Sequence, residues 1–373
     1  MKVLHVYAGN LFGGVETLLV TLAKQRSLCP QMQPHFALCF EGRLAEELRA
    51  AGVTVHILGG VRFSRPWTVW RARQRLEHLL QNMSPDVAIC HEAWVNCLAG
   101  PLIRRHRIPL VFWMHGWGGG NAWYKRLARR TPPDLAIVNS HYTSKTLPEL
   151  FPGHTGYVVY CPVAWQPLAT DRGAIRKSVR EALQTSQKDT VILMTSRMVP
   201  YKGHVLLLKA LEQLREVPRW MLWMAGGPQQ SIEQEYFAQL KSIALAMGIS
   251  ERVKFLGDRS DVPYLLMASD IHCQPNIGPE PFGISFIEAL YAGLPVVTTR
   301  IGGAVEIVTD SCGILVSPNN PVALSQALAG LLNDPETRCR LGAAGPERAR
   351  ELCDPAHVLG QLQEGLASII PES

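Results

Sequence analysis

The chain contains no apolar run of the ~18 to 20 residues that a membrane-crossing helix requires. Its opening residues, Met1 to Ala8, form a short apolar stretch without the cleavage region of a secretory signal, so they read as a first buried strand and a cytoplasmic location is expected. Nine cysteines, at 29, 39, 90, 97, 161, 273, 312, 339 and 353, include no Cys-x2-Cys pair, which argues for reduced thiols in cores. His91-Glu92 lacks the second histidine of a metalloprotease helix and no Asp-x-Asp appears, so neither a metal nor another cofactor is expected. Charged residues are only 18% against 47% hydrophobic, which excludes disorder, and 373 residues suffice for two domains with separate cores.

Short apolar strands alternate with helical patterns throughout. In the first half the strands are Val3 to Ala8, Phe36 to Phe40, Val53 to Leu58, Val87 to His91, Leu110 to Met114, Leu135 to Asn139 and Tyr157 to Cys161, with helices at Val15 to Leu28, Leu44 to Ala51, Val69 to Asn82 and Val95 to Arg105. The second half repeats the scheme with Val191 to Thr195, Trp220 to Ala225, Val253 to Leu256, Ile271 to Pro275, Pro295 to Thr299 and Gly313 to Val316. Near-continuous apolar strands separated by helices predict parallel sheets covered on both faces, hence an α/β protein of two doubly wound Rossmann-like domains. The proline-bearing stretch Pro162 to Gly173 reads as a hinge, which divides the chain into residues 1–165, 166–354 and a final helical segment 355–373. Ligands of such sheets bind beyond the carboxyl ends of the strands, which places the expected site in a cleft between the two domains.

Several chemistry-bearing residues fall at strand ends. Pro281 and Gly283 interrupt regular structure before an apolar helical run, so the N–H groups of Phe282, Gly283 and Ile284 open a helix and form an anion site suited to a diphosphate. Glu280 flanks that anion and Glu288 follows two turns later; carboxylates there are suited to accept hydrogen bonds from sugar hydroxyls. Arg197 and Lys202, in a loop kept non-helical by Pro200 and Gly203, would neutralise the diphosphate and the charge that grows as it leaves. Gly13 and Gly14 open the first helix and permit a tight turn against a phosphate or sugar. His115 stands at the mouth of a strand, able to donate to a sugar hydroxyl, while Glu92, Asn139 and Ser140 lie at the same end and are candidates for meeting an acceptor.

The segment Glu280 to Glu288 resembles the Glu-x7-Glu motif of retaining glycosyltransferases of the GT-B fold, specifically glycosyltransferase family 4. Ser196-Arg-Met-Val-Pro-Tyr-Lys-Gly203 is similar to that family's Gly/Ser-Arg-x4-Lys-Gly motif, and Gly13-Gly14-Val-Glu16 to its Gly-Gly-x-Glu loop. The resemblance implies that Glu280 and His115 contact the transferred sugar, Glu288 the nucleotide ribose, Arg197 and Lys202 the donor phosphates, and the loop Gly257-Asp258 the base. It implies a metal-independent, retaining transfer from a nucleoside diphosphate sugar, a UDP-sugar favoured, to a hydroxyl acceptor, with the C-terminal helix returning to the first domain. Two alternatives stay open: a nucleotide-sugar epimerase of the same architecture, which needs acid/base carboxylates in the first domain, and a non-catalytic nucleotide-sugar-binding scaffold.

The net charge of +6 is unevenly placed. Arg62, Arg65, Arg71, Arg73 and Arg75 are interleaved with Phe63, Trp67 and Trp70, and Arg104, Arg105, Arg107, Lys125, Arg126, Arg129 and Arg130 follow. This pattern fits peripheral contact with an anionic membrane at its inner face or a phosphorylated acceptor, or equally a solvated helix face with its tryptophans in the core. No recognition motif for nucleic acid accompanies the charge.

Overall fold

The computed structural model describes residues 1–165 and 171–371. They divide into two compact units, Met1–Ala164 with Cys353–Ser373, and Trp165–Leu352. Residues 166–170, inside the expected hinge, lie outside the described residues.

The first unit is built on strands β1 (Lys2–Tyr7), β2 (Gln33–Leu38), β3 (Thr54–Ile57), β4 (Val87–His91), β5 (Leu110–Met114), β6 (Leu135–Val138) and β7 (Gly156–Val158), paired parallel in the order β3-β2-β1-β4-β5-β6-β7. Every residue of β4 and β5 is buried, as continuous apolar runs demand of strands covered on both faces. The second unit repeats the plan with β8 (Thr190–Thr195), β9 (Trp220–Ala225), β10 (Val253–Gly257), β11 (Ile271–Gln274), β12 (Val296–Thr299) and β13 (Gly313–Val316), in the order β10-β9-β8-β11-β12-β13. Strand order reverses between β1 and β4 and between β8 and β11, the switch points outside which open α/β sheets hold ligands.

Strand expectations agree with these spans to within a few residues, but the helices differ more. The first helix, α1 (Gly14–Lys24), gives way to a 3-10 turn at Arg26–Leu28, because Cys29 precedes Pro30 and is held extended. Two helices escaped the periodicity reading, Trp123–Ala128 and His141–Leu150, the latter interrupted in sequence by Pro148. The last helix, Pro355–Ala367, begins on Asp354, whose carboxylate accepts from the amides of Ala356 and His357. It packs on the first unit, where Tyr157 Oη donates to the Gln361 carbonyl at 3.1 Å. All nine cysteines are free, and all but Cys339 are buried.

The second unit buries a costly charge. Arg180, on the helix Arg172–Ala182, is fully buried and donates to the carbonyls of Ala268 and Asp189 and, at 2.7 Å, to Asp270, whose carboxylate also accepts from the Val191 amide. Asp270→Ala strands that guanidinium without its counter-charge, and urea denaturation is expected to show a loss of ~3–5 kcal/mol. A loss below 1 kcal/mol would mean that Arg180 is held by backbone carbonyls alone.

Candidate active site

Backbone packing at the ends of β8, β11 and β12 sets the geometry of the second unit's site. Gly203 has φ of +84°, and a Cβ there would lie 1.9 Å from the Pro275 carbonyl oxygen, so only glycine lets the Lys202 loop dock on the end of β11. Gly302, at φ +67°, would place a Cβ 2.3 Å from the Glu280 carbonyl oxygen, and the Gly303 amide donates to that oxygen at 2.7 Å. The turn after β12 thus pins Glu280 from one side while the Lys202 loop meets it from the other.

Between them Lys202 Nζ donates to Glu280 Oε2 in a short ion pair, with Glu280 only 8% exposed. Burial disfavours the ammonium, yet the carboxylate of Glu280, with Tyr201, more than offsets this and raises Lys202 above its ordinary value. Gln274 Nε2 approaches the same carboxylate oxygen at 3.4 Å and also donates to Asn276 Oδ1 at 3.0 Å. Arg197 is paired with Glu233, whose other oxygen accepts from the Gln229 amide at 2.7 Å. The expectation of two cations standing ready for a diphosphate is corrected here: both are neutralised by carboxylates, and any incoming anion exchanges with or joins those pairs. Arg197 Nε and Asn276 Nδ2 remain buried donors without an acceptor among the described residues.

The helix Ile284–Tyr291 begins on Gly283, at φ +110°. The amides of Gly283 and Ile284 find no acceptor among the described residues, leaving the positive end of this helix beside the Lys202–Glu280 pair. Glu288, two turns along, is partly buried, has no side-chain partner among the described residues, and is pushed by burial up to about 7. Gly257 ends β10 and its carbonyl accepts from the Gly226 amide at 2.7 Å, which sets the Gly257-Asp258 loop against the turn that follows β9.

The first unit gathers Tyr7, Glu16, Glu92, His115 and Lys125 at its own switch point. Tyr7 donates to Glu16 Oε1 at 2.8 Å. Glu92 has φ of +79° and ψ of 150°, a backbone conformation that costs a non-glycine residue ~1–3 kcal/mol and tends to occur at functional sites. Burial, more than Lys125 opposes it, raises its carboxyl to about 7. Lys125 Nζ donates to the Trp117 carbonyl at 2.8 Å. His115 is buried and bonded to His91, and burial lowers it to about 3, so it is a neutral ring.

Three sequence expectations change. Gly13 is extended at φ −169°, which any residue adopts; the left-handed turn after β1 is at Gly9 instead. Ser140 caps the helix His141–Leu150 by accepting from the Thr143 amide at 3.0 Å. Asn139 accepts from Thr143 Oγ1 and lies against the His115 carbonyl, so both side chains are engaged inside the unit rather than presented to an acceptor.

Comparison with known proteins brings these two sites under one family. A glycosyltransferase family 4 model matches residues 12–164 and a "glycosyl transferases group 1" model residues 175–348. Over 268 residues, 66% of this chain and 67% of the relative, the sequence is 31% identical to a GDP-mannose-dependent alpha-(1-6)-phosphatidylinositol monomannoside mannosyltransferase of Mycolicibacterium smegmatis. The chain belongs to glycosyltransferase family 4.

It is also 30% identical over 233 residues to a D-inositol 3-phosphate glycosyltransferase of Corynebacterium efficiens, covering 60% of this chain and 52% of that one. The family 4 chain spans about half the length of the curated relatives it matches first. Among solved structures, HepE of Anabaena in complex with UDP and glucose shares the fold at TM-score 0.86 and 23% identity, covering 99% of this chain and all of that one. A glycosyltransferase from Rickettsia africae does so at 0.85 and 21%, covering all of this chain and 99% of that one. The two parallel-sheet domains are those of GT-B glycosyltransferases.

Glu233, Gln274, Asn276 and the Gly302-Gly303 turn join this family 4 site unannounced by any motif in the sequence reading. The available signals were an acid in the first turn of the helix that follows Gly226-Gly227-Pro228, and a glycine pair after a buried strand.

Because Glu92 is raised from 4.5 to about 7, the folded state binds more protons than the unfolded state between those values. Stability therefore falls as pH rises through that window. Glu92→Gln keeps the neutral shape, so its Tm is expected to exceed that of the parent above pH 7, with the gap closing below pH 5. A pH-independent difference would remove Glu92 from the set of buried titrating groups.

Proposed function

We propose that the protein is a retaining, metal-independent glycosyltransferase that moves a sugar from a nucleoside diphosphate sugar to an acceptor hydroxyl. The observation that carries this reading is the Lys202–Glu280 pair beside the helix N-terminus at Gly283, with Arg197 in the same loop as Lys202. An arriving diphosphate draws Arg197 and Lys202 toward itself and takes the Gly283 and Ile284 amides, while Glu280 turns to the sugar hydroxyls and Glu288 to the ribose. These donors are cations and amides, which supply the charge stabilisation that other transferases take from a metal.

In the retaining step, the acceptor oxygen bonds to the anomeric carbon on the face the diphosphate leaves. The carbon–oxygen bond to phosphate breaks, and the hydroxyl proton passes to the departing phosphate oxygen. A UDP-sugar is the first donor to test; the Mycolicibacterium relative is GDP-mannose-dependent by name, so GDP is the competing arm. The alternative of an epimerase gains one observation, the proximity of Glu16 and Glu92 in the first unit, where the charge of Glu16 helps to raise the Glu92 carboxyl. Incubation of donor without acceptor separates the two, since an epimerase returns an epimerised nucleotide sugar and a transferase slowly hydrolyses it.

Lys202→Ala is expected to lower turnover by ~10²-fold or more, as loss of an oxyanion donor does. In calorimetric titrations Glu280→Ala should leave the affinity for the bare nucleoside diphosphate nearly intact while harming transfer, whereas Glu288→Ala should weaken both. Wild-type turnover in Lys202→Ala, or the reverse pattern in the two glutamate variants, would contradict the assignment.

The acceptor side is tied to the first unit's surface. Trp67, Trp70 and Trp123 are 56%, 62% and 53% exposed, so the reading that turned Trp67 and Trp70 into the core is corrected. Phe63, three residues before the helix Pro66–Met83, packs edge-on against Trp123 of the helix Trp123–Ala128, with ring centroids 4.8 Å apart. Exposed Arg62, Arg65, Arg71, Arg126 and Arg130 lie in or beside the same segments. Arg73 and Arg75 are different, since they donate to the carbonyls of Leu98, Cys97 and Leu58. We infer peripheral contact with an anionic membrane carrying or delivering the acceptor; among the described residues no helix is long and apolar enough to cross one. Replacing Arg62, Arg65 and Arg71 with glutamine should reduce sedimentation with anionic vesicles by ~1 kcal/mol per cation, and added salt should weaken the parent's binding. Equal binding by both proteins would assign these arginines to a solvated face.

A further inference from the structure

Three histidines, on or just beyond three adjacent strands, form a continuous buried chain. His5 Nδ1 lies 3.0 Å from His91 Nε2, and His91 Nδ1 lies 2.8 Å from His115 Nε2. The rings are nearly parallel, at 18° and 11°, with centroids 5.3 and 5.1 Å apart. The parallel register of β1 and β4 pairs His5 with Ile89, so His91, two residues on, lies diagonal to His5 on the same face of the sheet, and His115 follows β5, which pairs with β4. No group of three or more histidines, cysteines and carboxylates among the described residues has metal-binding geometry, so the arrangement is one of hydrogen bonds between rings.

All three rings are neutral near pH 7, because burial lowers His5 and His115 to about 3 and His91 well below its ordinary value. A neutral imidazole carries one N–H, so it donates at one nitrogen and accepts at the other. Each ring–ring contact then needs one donor and one acceptor, which leaves two consistent states for the whole chain. Either all three protons sit on Nδ1, or all three sit on Nε2. In the first state His115 presents an Nδ1–H outward and His5 keeps a bare Nε2; in the second, His115 presents a bare nitrogen and His5 a buried N–H.

The far end decides between them. His5 lines a cavity of about 20 Å³ walled by Val3, Leu22, Met32, Leu359 and Leu362, with Arg26 as its charged neighbour. Mostly apolar walls and a cation there favour a bare acceptor, since an N–H at Nε2 would find no strong acceptor among the lining side chains and would face like charge. We propose that His91 and His5 are positioning residues that hold His115 in its Nδ1–H tautomer, so that it donates one hydrogen bond of fixed sense to a hydroxyl of the transferred sugar. This rests on the reading of His115 as a sugar contact.

The test begins without substrate. In protein labelled with 15N-histidine, long-range proton–nitrogen spectra identify which ring nitrogen is protonated, and His115, His91 and His5 are all expected as Nδ1–H. His91→Phe preserves the ring stack but removes both bonds, and should shift His115 wholly or partly to Nε2–H. His91→Asn returns an amide N–H toward His115 Nε2 and should restore the Nδ1–H form. His5→Phe cuts only the far link and serves if His91→Phe does not fold; it too should release the lock.

In transfer assays, His91→Phe should lower kcat/KM ~10-fold with the affinity for bare nucleoside diphosphate unchanged, and His91→Asn should recover most of it. An Nε2–H form of His115 in the parent protein, an unaltered tautomer in both phenylalanine variants, or an altered tautomer with unchanged kcat/KM would each overturn the proposal. Failure of the underlying reading looks different: His115→Ala would then transfer sugar at the parent rate while the tautomer spectra stay as expected.

Discussion

The buried Lys202–Glu280 pair is the interaction on which the second unit's site depends. A charge pair removed from water is stabilising only where geometry and further hydrogen bonds hold both partners. Here the backbone does the holding: Gly203 admits the Lys202 loop onto β11, and Gly302 with Gly303 closes over the Glu280 carbonyl. Gln274 adds a neutral donor to the same carboxylate. Glu233 performs the matching service for Arg197. The loop cations therefore keep a defined position without ligand, and a diphosphate would meet an ordered site whose charge it exchanges rather than one it must assemble.

The first unit solves a different problem. Beside Glu16 and Lys125, its switch point holds neutral or near-neutral polar groups: stacked imidazoles kept uncharged by burial, and a Glu92 carboxyl raised toward neutrality on a strained backbone. Such groups orient hydroxyls without the desolvation cost of full charges. The division suits a reaction in which one unit handles a diphosphate and the other handles sugars.

The surface of the same unit carries exposed tryptophans and arginines in and beside two helices, with Phe63, just before one, packed on Trp123 of the other. Arginines that look alike in sequence divide by direction. Arg62, Arg65 and Arg71 face solvent, while Arg73 and Arg75 turn back to donate to backbone carbonyls of their own unit.

Much of this was legible in the chain itself. Apolar runs of strand length, spaced by helical patterns, determine two parallel α/β domains because strands covered on both faces must be apolar throughout. The Glu-x7-Glu segment and the Arg197–Lys202 loop are local in sequence, so their placement at strand ends follows from the residues beside them. The partners of those residues are not local. Glu233 lies 36 residues from Arg197 and Glu280 lies 78 from Lys202. His5, His91 and His115 are separated by 86 and 24 residues. Only strand order and register bring them together, and no periodicity records which side chains adjacent strands will share. The protonation of Glu92, Glu288 and the histidines was likewise decided by tertiary structure, because burial and neighbouring charge are properties of the packed fold rather than of residue type.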